Sequence, residues 1–345
     1  MKEKSPKDNR KPRPKDFKQV LDELAAADVP FSPLNLYLFS DLDRKDLERL
    51  EAVWPDVPVE RRRQLLEDLG ELAEANFEVT FEAVSRMAME DLDGLVRARA
   101  ISNLWEVDNP DLIAPLLHSL AEDPVTEVRA AAASTLGNYV YLNELEELPP
   151  SQGKRVEDAL LVTAAGDDEP IVRRRAIEAL GFSARPEVPP LIESAYRSDR
   201  EDFRASALFA MGRAADQRWA TPVTTELHSP SPSLRFEAAR AAGELELKET
   251  VPALTELLED PDPMVREAAI WSLSQVGGPK ARRALTELLA QAGEDESDFI
   301  QDALDNLEFT DELNEFQLME IDLDEDGVLE IDDEDDDEDD LRSLN

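Results

Sequence analysis

Carboxylates are the side chains of this 345-residue chain that could most readily do chemistry, since Asp and Glu number 79 against 37 Lys and Arg. They are so plentiful that neighbouring pairs such as Asp167-Asp168 identify no glycosidase-like catalytic site. The chain has no cysteine, which excludes thiol catalysis, disulfides, Cys-zinc sites and iron–sulfur clusters. Only two histidines are present, His118 and His228, and each is followed by serine, so we expect no metal site and no cofactor.

The formal net charge of −42 argues against two classes of partner. Nucleic acids and anionic membrane surfaces are bound by clustered Lys and Arg, and the excess of acidic residues in this chain opposes such binding. The most apolar early stretch, 29–39, is interrupted by Pro30 and Pro33 and is too short to span a bilayer. No signal-like apolar segment follows the basic start, so we expect a cytoplasmic protein.

Both ends of the chain are strongly charged, and we expect both to be disordered. The N-terminal end, 1–15, is basic, whereas the C-terminal end, 310–345, is acidic. Asp322, Asp324, Asp326 and Gly327 match the first half of an EF-hand calcium loop, but position twelve is Asp333 instead of Glu. A generic polyacid is therefore favoured over a specific calcium site.

An internal repeat predicts the elements that would position any site. Large apolar residues flank a central alanine at a four-residue spacing, which is typical of one helix face. The copies are Val96-Ala100-Leu104, Val128-Ala132-Leu136, Val172-Ala176-Leu180, Phe203-Ala207-Met211, Leu234-Ala238-Ala242, Val265-Ala269-Leu273 and Phe299-Ala303-Leu307. A second apolar stretch precedes each copy, and turn formers such as Asp260-Pro261 lie between them, so each repeat reads as helix, turn, helix. Such units must stack to bury their apolar faces.

The signature Asp260-Pro261, Val265-Arg266, Ala269, Leu273 resembles the HEAT repeat, in particular the short HEAT-like units of phycobilisome lyases. The resemblance implies an all-α fold, an α-solenoid of helix-turn-helix repeats. We expect a helical N-terminal cap with a degenerate repeat at 16–92, including helices near 16–27 and 41–53, and the repeat solenoid at 93–309. The histidine pairs of di-iron hydroxylases with such repeats are missing, and the acidic charge does not suit the DNA glycosylases of similar architecture.

Arg129, Arg173 and Arg266 each follow an acidic residue by six positions, namely Asp123, Asp167 and Asp260. We expect these pairs to be structural and to tie each turn to its second helix.

The resemblance implies that the second helices line a concave surface. With the first apolar residue of each copy as position zero, positions two, six and nine should face away from the core. The candidate partner-binding residues at these positions are Trp105, Arg174, Glu178, Phe209, Phe236, Arg240 and Trp271. Exposed aromatic residues and arginine are common binding anchors, although aromatic residues packed between repeats are the alternative.

A break in the repeat spacing supplies a second candidate. Repeats follow each other at 31–34 residues, but 44 residues separate Val128 from Val172. The additional segment, 138–154, contains Tyr139 and Tyr141 and is either a recognition loop or an extension of a helix over 138–148.

These features favour a non-catalytic scaffold or adaptor, a monomer that binds another protein on the concave face. A bilin-lyase-like or other small-ligand protein using the same groove is an alternative, since fold does not fix function. A further alternative is an assembly chaperone whose acidic tail shields a basic client.

Overall fold

Proline and aspartate set the beginnings of the helices. Pro150, Pro170 and Pro232 each occupy a first helical position, where a missing amide hydrogen costs nothing. The Asp93 and Asp262 carboxylates cap other helices by accepting from backbone amides of Val96 and Met264. Pro170, Pro232, Asp93 and Asp262 therefore mark the beginnings of second helices, whereas Pro150 begins a first helix.

The computed structural model describes residues 16–26, 30–293 and 296–309. It is 75% helical, and the described residues contain no strand. The helices are α1 (Phe17–Ala25), α2 (Arg44–Val53), α3 (Val59–Ala75), α4 (Glu82–Ala88), α5 (Gly94–Ser102), α6 (Ile113–Glu122), α7 (Thr126–Glu144), α8 (Pro150–Ala165), α9 (Pro170–Ala179), α10 (Val188–Tyr196), α11 (Glu201–Arg213), α12 (Ala220–Glu226), α13 (Pro232–Glu244), α14 (Val251–Leu257), α15 (Pro263–Val276), α16 (Gly278–Leu289) and α17 (296–309). Short 3-10 helices lie at Pro33–Phe39, Trp54–Asp56, Pro110–Leu112, Leu180–Phe182, Gln217–Trp219 and Lys248–Thr250.

The expected helices near 16–27 and 41–53 are confirmed as α1 and α2. The expected disorder of 1–15 and 310–345, and the calcium-loop candidate from Asp322 to Asp333, lie outside the described residues. The limits expected for the cap and the solenoid stay predictions.

The chain divides into two compact units, Met1–Leu245 and Glu246–Asn345. In the first unit, α4, α6, α8, α10 and α12 each pack against the helix that follows them. The second helices α5, α7, α9, α11 and α13 also contact one another in sequence. This two-layer stack of helix pairs is an all-α, α-solenoid arrangement, as expected. In the second unit α14, α15 and α16 contact one another.

The repeated apolar residues form the core that the periodicity predicted. Val96, Ala100 and Leu104 are fully buried, and the corresponding residues of the next five copies are also buried. The last copy differs, because Phe299 is 44% exposed and Ile300 is buried in its place, beside buried Ala303 and Leu307. The predicted burial of Phe299 was wrong, because Ile300 and not Phe299 lies on the face of α17 that packs against the core.

A glycine at position nine lets adjacent second helices approach closely. An added Cβ on Gly137 would lie 3.2 Å from the Cα of Ala179, and one on Gly181 would lie 3.0 Å from the Cα and carbonyl oxygen of Ala210. Gly212 meets the Cα of Ala241 at 3.0 Å in the same way. Position nine of one repeat therefore faces position seven of the next, and only a residue without a side chain fits between them.

Arginines of the second helices form a ladder that joins successive repeats. Both carboxylate oxygens of Asp93 accept from Arg63, at 2.9 and 2.6 Å, and both oxygens of Asp123 accept from Arg97 at 2.8 Å. Arg129 donates in the same bidentate way to Asp168, at 2.9 and 2.6 Å. Such pairing fixes orientation as well as adding charge-assisted hydrogen bonds.

The partners expected for these arginines were therefore wrong in detail. Arg129 and Arg266 donate to the backbone carbonyl oxygens of Asp123 and Asp260, at 2.9 and 2.8 Å. Arg173 donates to the Ala164 carbonyl oxygen and lies over the ring of Phe203. The structural role holds, and the carboxylate partner of Arg129 is Asp168 of the next repeat.

The ladder predicts a defined pH dependence. Hydrogen bonding to Arg63 lowers the pKa of Asp93 to about 2, so this carboxylate stabilises the fold above about pH 4 and loses that contribution as the pH falls toward 2. We expect Asp93→Asn, which keeps a capping oxygen, to reduce the free energy of unfolding at pH 7 by about 1 kcal/mol, because partial exposure screens the pair. The difference from wild type should shrink at pH 2.5 in urea unfolding. Exposed Asp22, mutated to Asn, is the control; an equal loss at both pH values would contradict the prediction.

The close contacts at position nine predict that replacing glycine there lowers the stability of the fold. We expect Gly181→Ala to destabilise the chain by about 1–3 kcal/mol, because the new methyl group would meet backbone atoms that cannot move aside. Gly293→Ala is the matched control, since its Cβ would meet nothing within 4 Å. Thermal unfolding of both variants checks this; equal melting temperatures would show that the helices separate freely.

Candidate functional site

A groove of about 840 Å³ opens along the second helices of the first unit. Counted from the first buried residue of each repeat, positions six and ten supply its inner wall over four consecutive repeats. These residues are Ser102, Glu106, Ser134, Asn138, Glu178, Phe182, Phe209 and Arg213. The four-residue spacing places both positions on one helix face, so every repeat contributes two side chains to the groove.

Rings and guanidinium groups alternate along this surface. The ring centroids of Tyr141 and Phe182 lie 4.9 Å apart. The guanidinium carbon of Arg213 lies 4.7 Å from the Phe182 centroid and 4.2 Å from the Phe209 centroid. Cation–π contacts of this kind contribute about 0.5–2 kcal/mol each.

The same alternation continues beyond Phe209. The guanidinium carbon of Arg240 lies 5.4 Å from the Phe209 centroid and 5.9 Å from the Phe236 centroid. We call this series of six side chains the ring–guanidinium stack; its members are Tyr141, Phe182, Arg213, Phe209, Arg240 and Phe236. It spans α7 to α13 and presents a preformed row of planar groups.

Two arginines of the stack differ in how their charge is balanced. Arg240 pairs with Glu244 at 3.3 Å. The Arg213 guanidinium contacts rings and has no hydrogen bond within the described part of the chain, and burial lowers its pKa. Planar guanidinium groups tolerate such surroundings because they are weakly hydrated.

Glu237 lies on α13 beside the ring–guanidinium stack, and the pKa of its carboxyl group is raised. Burial raises its pKa to about 7, opposed by nearby Arg240 and reinforced by Glu178. Its Oε2 atom is buried without a hydrogen-bond partner. Burial also raises the pKa of Glu244. The pKa values of both carboxyl groups on α13 are therefore raised by burial beside the stack.

Six of the residues predicted to bind a partner belong to this surface, and Glu178 on the groove wall is one of them. Trp105 is 53% exposed and lines the groove, as do Tyr141 and Phe209. Phe236 and Arg240 extend the stack. Trp271 lies on α15 in the second unit and is half-buried.

Three predicted binding residues are engaged inside the protein. Arg174 donates through Nε to the Ser206 hydroxyl at 2.9 Å, and that hydroxyl donates to buried Glu178 at 2.6 Å. The second oxygen of Glu178 accepts from Arg175 at 2.6 Å. Arg174 and Glu178 thus tie α9 to α11, and partner contacts for them stay a prediction.

Tyr139 is also engaged inside the protein. Its side chain is completely buried, and its hydroxyl lies 2.8 and 2.9 Å from the carbonyl oxygens of Val107 and Asn109. Burial raises its pKa. Tyr139 joins α7 to the preceding connection and offers nothing to a partner.

The additional residues between Val128 and Val172 extend helices. α7 continues to Glu144, and α8 begins at Pro150 after a five-residue connection. Of the two alternatives, the structure shows the helix extension. That extension carries Tyr141, which is 42% exposed, to the groove.

Phe182 and Arg213 were not among the predicted binding residues, because the prediction placed position nine on the groove instead of position ten. In these two repeats position nine is Gly181 or Gly212, which lies against the next helix. The recurrence of glycine at position nine was the signal that could have found them. Within the described residues, no group of three or more His, Cys, Asp or Glu side chains is placed to hold a metal ion. In the same part of the chain, no helix is long and apolar enough to cross a membrane.

The raised pKa of Glu237 predicts how the free energy of unfolding changes with pH. Since the pKa of the folded state, about 7, exceeds the unfolded value of 4.5, ionisation of Glu237 destabilises the fold increasingly from about pH 5 to pH 8. We expect Glu237→Gln to be more stable than wild type at pH 8 by about 1–2 kcal/mol, with the gain lost at pH 5. Urea unfolding at both pH values measures this, with exposed Glu122→Gln as control. A gain independent of pH would contradict the assignment.

Comparison with known proteins agrees with this architecture. The family model described as HEAT repeats matches residues 81–151 and 220–307. Three similar solved structures are YIBA from Escherichia coli (17% identity, 87% of this chain and 99% of that chain, TM-score 0.43), the complex of CpcE and CpcF of phycocyanin lyase from Nostoc sp. PCC7120 (17%, 89% and 99%, 0.37) and yeast importin-beta, Kap95p (14%, 84% and 51%, 0.44). A search of curated proteins found no significant match. The resemblance to HEAT repeats that the sequence indicated is therefore confirmed for these two regions of the chain.

Proposed function

We propose that this chain is a non-catalytic interaction scaffold that takes a segment of a partner protein into the groove of its first unit. The observation that carries the proposal is the ring–guanidinium stack, four members of which, Tyr141 among them, line the groove together with the exposed ring of Trp105. Tryptophan, tyrosine and arginine are the side chains that most often dominate binding energy at protein interfaces.

The stack supports binding because its planar groups are already held in place. Arg213 is fixed between Phe182 and Phe209, so little side-chain freedom remains to be lost when a partner arrives. Trp105 and Tyr141 have only two rotatable side-chain torsions each and offer large contact areas at low entropic cost.

A small-ligand or bilin-lyase-like function is the second candidate. The groove volume of about 840 Å³ lies within the range of about 300–1,000 Å³ typical of small-molecule pockets. Visible absorbance of the purified protein separates the two candidates, because a bound bilin would absorb there and a peptide segment would not.

The chaperone alternative depends on the acidic segment 310–345, which lies outside the described residues, and stays a prediction. A cytoplasmic location and a monomeric state also stay predictions.

The scaffold proposal predicts a specific binding defect. We expect Trp105→Ala and Tyr141→Ala each to weaken partner capture from native lysate by at least about tenfold, as anchor truncations commonly do. Tyr37→Ala removes an aromatic side chain of similar exposure, 48%, outside the groove and should leave capture unchanged. Quantitative mass spectrometry of the captured proteins measures the effect. Equal capture by all variants would refute the groove as the binding surface.

A further inference from the structure

One end of the groove carries negative charge without compensation. Glu74 and Glu106 line this end and Glu147 lines the same groove; all three are exposed and form no ion pair within the described residues. A smaller groove of about 250 Å³ adjoins this end and shares Glu74, Trp105 and Glu106 with it. Its lining contains no Lys or Arg.

The basic side chains of the larger groove cannot neutralise this charge. Its two arginines are Arg175 and Arg213. Arg175 is paired with Glu178 at 2.6 Å, and Arg213 is held between two rings. The free carboxylates at the other end therefore determine the sign of charge that a ligand meets there.

Exposed rings accompany these carboxylates. Trp105 lines both grooves, Tyr141 lines the larger one, and Phe77, which is 91% exposed, lines the smaller one. Aromatic faces attract cations, with arginine the most frequent partner. Carboxylates and ring faces side by side satisfy both the charge and the planar surface of a guanidinium group.

We propose that the partner segment is an extended cationic peptide whose Arg or Lys side chains lie on Trp105 and Tyr141 and pair with Glu74, Glu106 and Glu147. This inference rests on the proposed function and names the chemistry of the partner at that same groove. An acidic segment or a phosphate backbone would be repelled by the same carboxylates.

Random dodecapeptides displayed on phage and selected on the full-length chain test the inference. Peptides are kept if Trp105→Ala and Tyr141→Ala reduce their binding, which restricts the set to ligands of the groove. Synthetic fluorescein-labelled copies are then titrated by anisotropy against the E74Q/E106Q/E147Q variant. The matched control, E51Q/E90Q/E122Q, removes the same charge from exposed glutamates that do not line either groove.

We expect the groove-dependent peptides to be enriched in Arg and Lys, and to lose about tenfold in affinity with the groove variant but less than about twofold with the control. Equal losses with both variants would overturn the inference, because bulk charge alone would then explain binding. Groove-dependent peptides that are acidic or uncharged would overturn it while leaving the groove as the binding surface. Absence of any groove-dependent peptide would overturn both the inference and the proposed function.

Discussion

Close contact between second helices is the constraint on which the first unit depends. Gly137, Gly181 and Gly212 bring the backbone of one helix to about 3 Å from where a side chain would begin on its neighbour. Helices held this close keep a constant register, so position ten of one repeat lies beside position six of the next. Arg213 can therefore insert between Phe182 and Phe209 on adjacent helices. With a bulkier residue at position nine the rings and guanidinium groups would no longer interdigitate.

Electrostatic interactions stabilise the stacked helices at the turns and destabilise them beside the ring–guanidinium stack. At the turns, bidentate pairs such as Arg97 with Asp123 cross from one repeat to the next and lower the pKa of the carboxylate. Beside the ring–guanidinium stack, burial raises the pKa values of Glu237 and Glu244, although Glu244 pairs with Arg240. At neutral pH the arginine–aspartate pairs at the turns therefore stabilise the stacked helices, whereas the ionised glutamates beside the ring–guanidinium stack reduce their stability. Functional surfaces commonly retain such locally unfavourable groups.

The helices and the core could be predicted from the sequence because both depend on local periodicity. Val96, Ala100 and Leu104 lie on one face at any reasonable helix phase, and their burial followed directly. The site required a finer distinction, since positions nine and ten are 100° apart, and position nine packs against the next helix where it is Gly137, Gly181 or Gly212. The partner of Arg129 could not be read from the spacing to Asp123, because Asp168 is 39 residues away and is brought near by stacking. The burial of Tyr139 likewise depends on carbonyl oxygens 30 and 32 residues earlier in the chain.

The repeats share the same core residue types. At positions six and ten, which line the groove, they carry different side chains, so the two ends of the groove differ in chemistry. The first two repeats place Ser102, Glu106, Ser134 and Asn138 on its wall, whereas the next two place Glu178, Phe182, Phe209 and Arg213. One end is therefore polar with free carboxylates nearby, and the other is a planar stack that already contains its own cations. A segment bound as proposed would meet different chemistry at its two ends, so the groove would distinguish the two orientations of that segment. Because each position is set by one residue on a shared scaffold, specificity can change without disturbing the glycine contacts that hold the helices together.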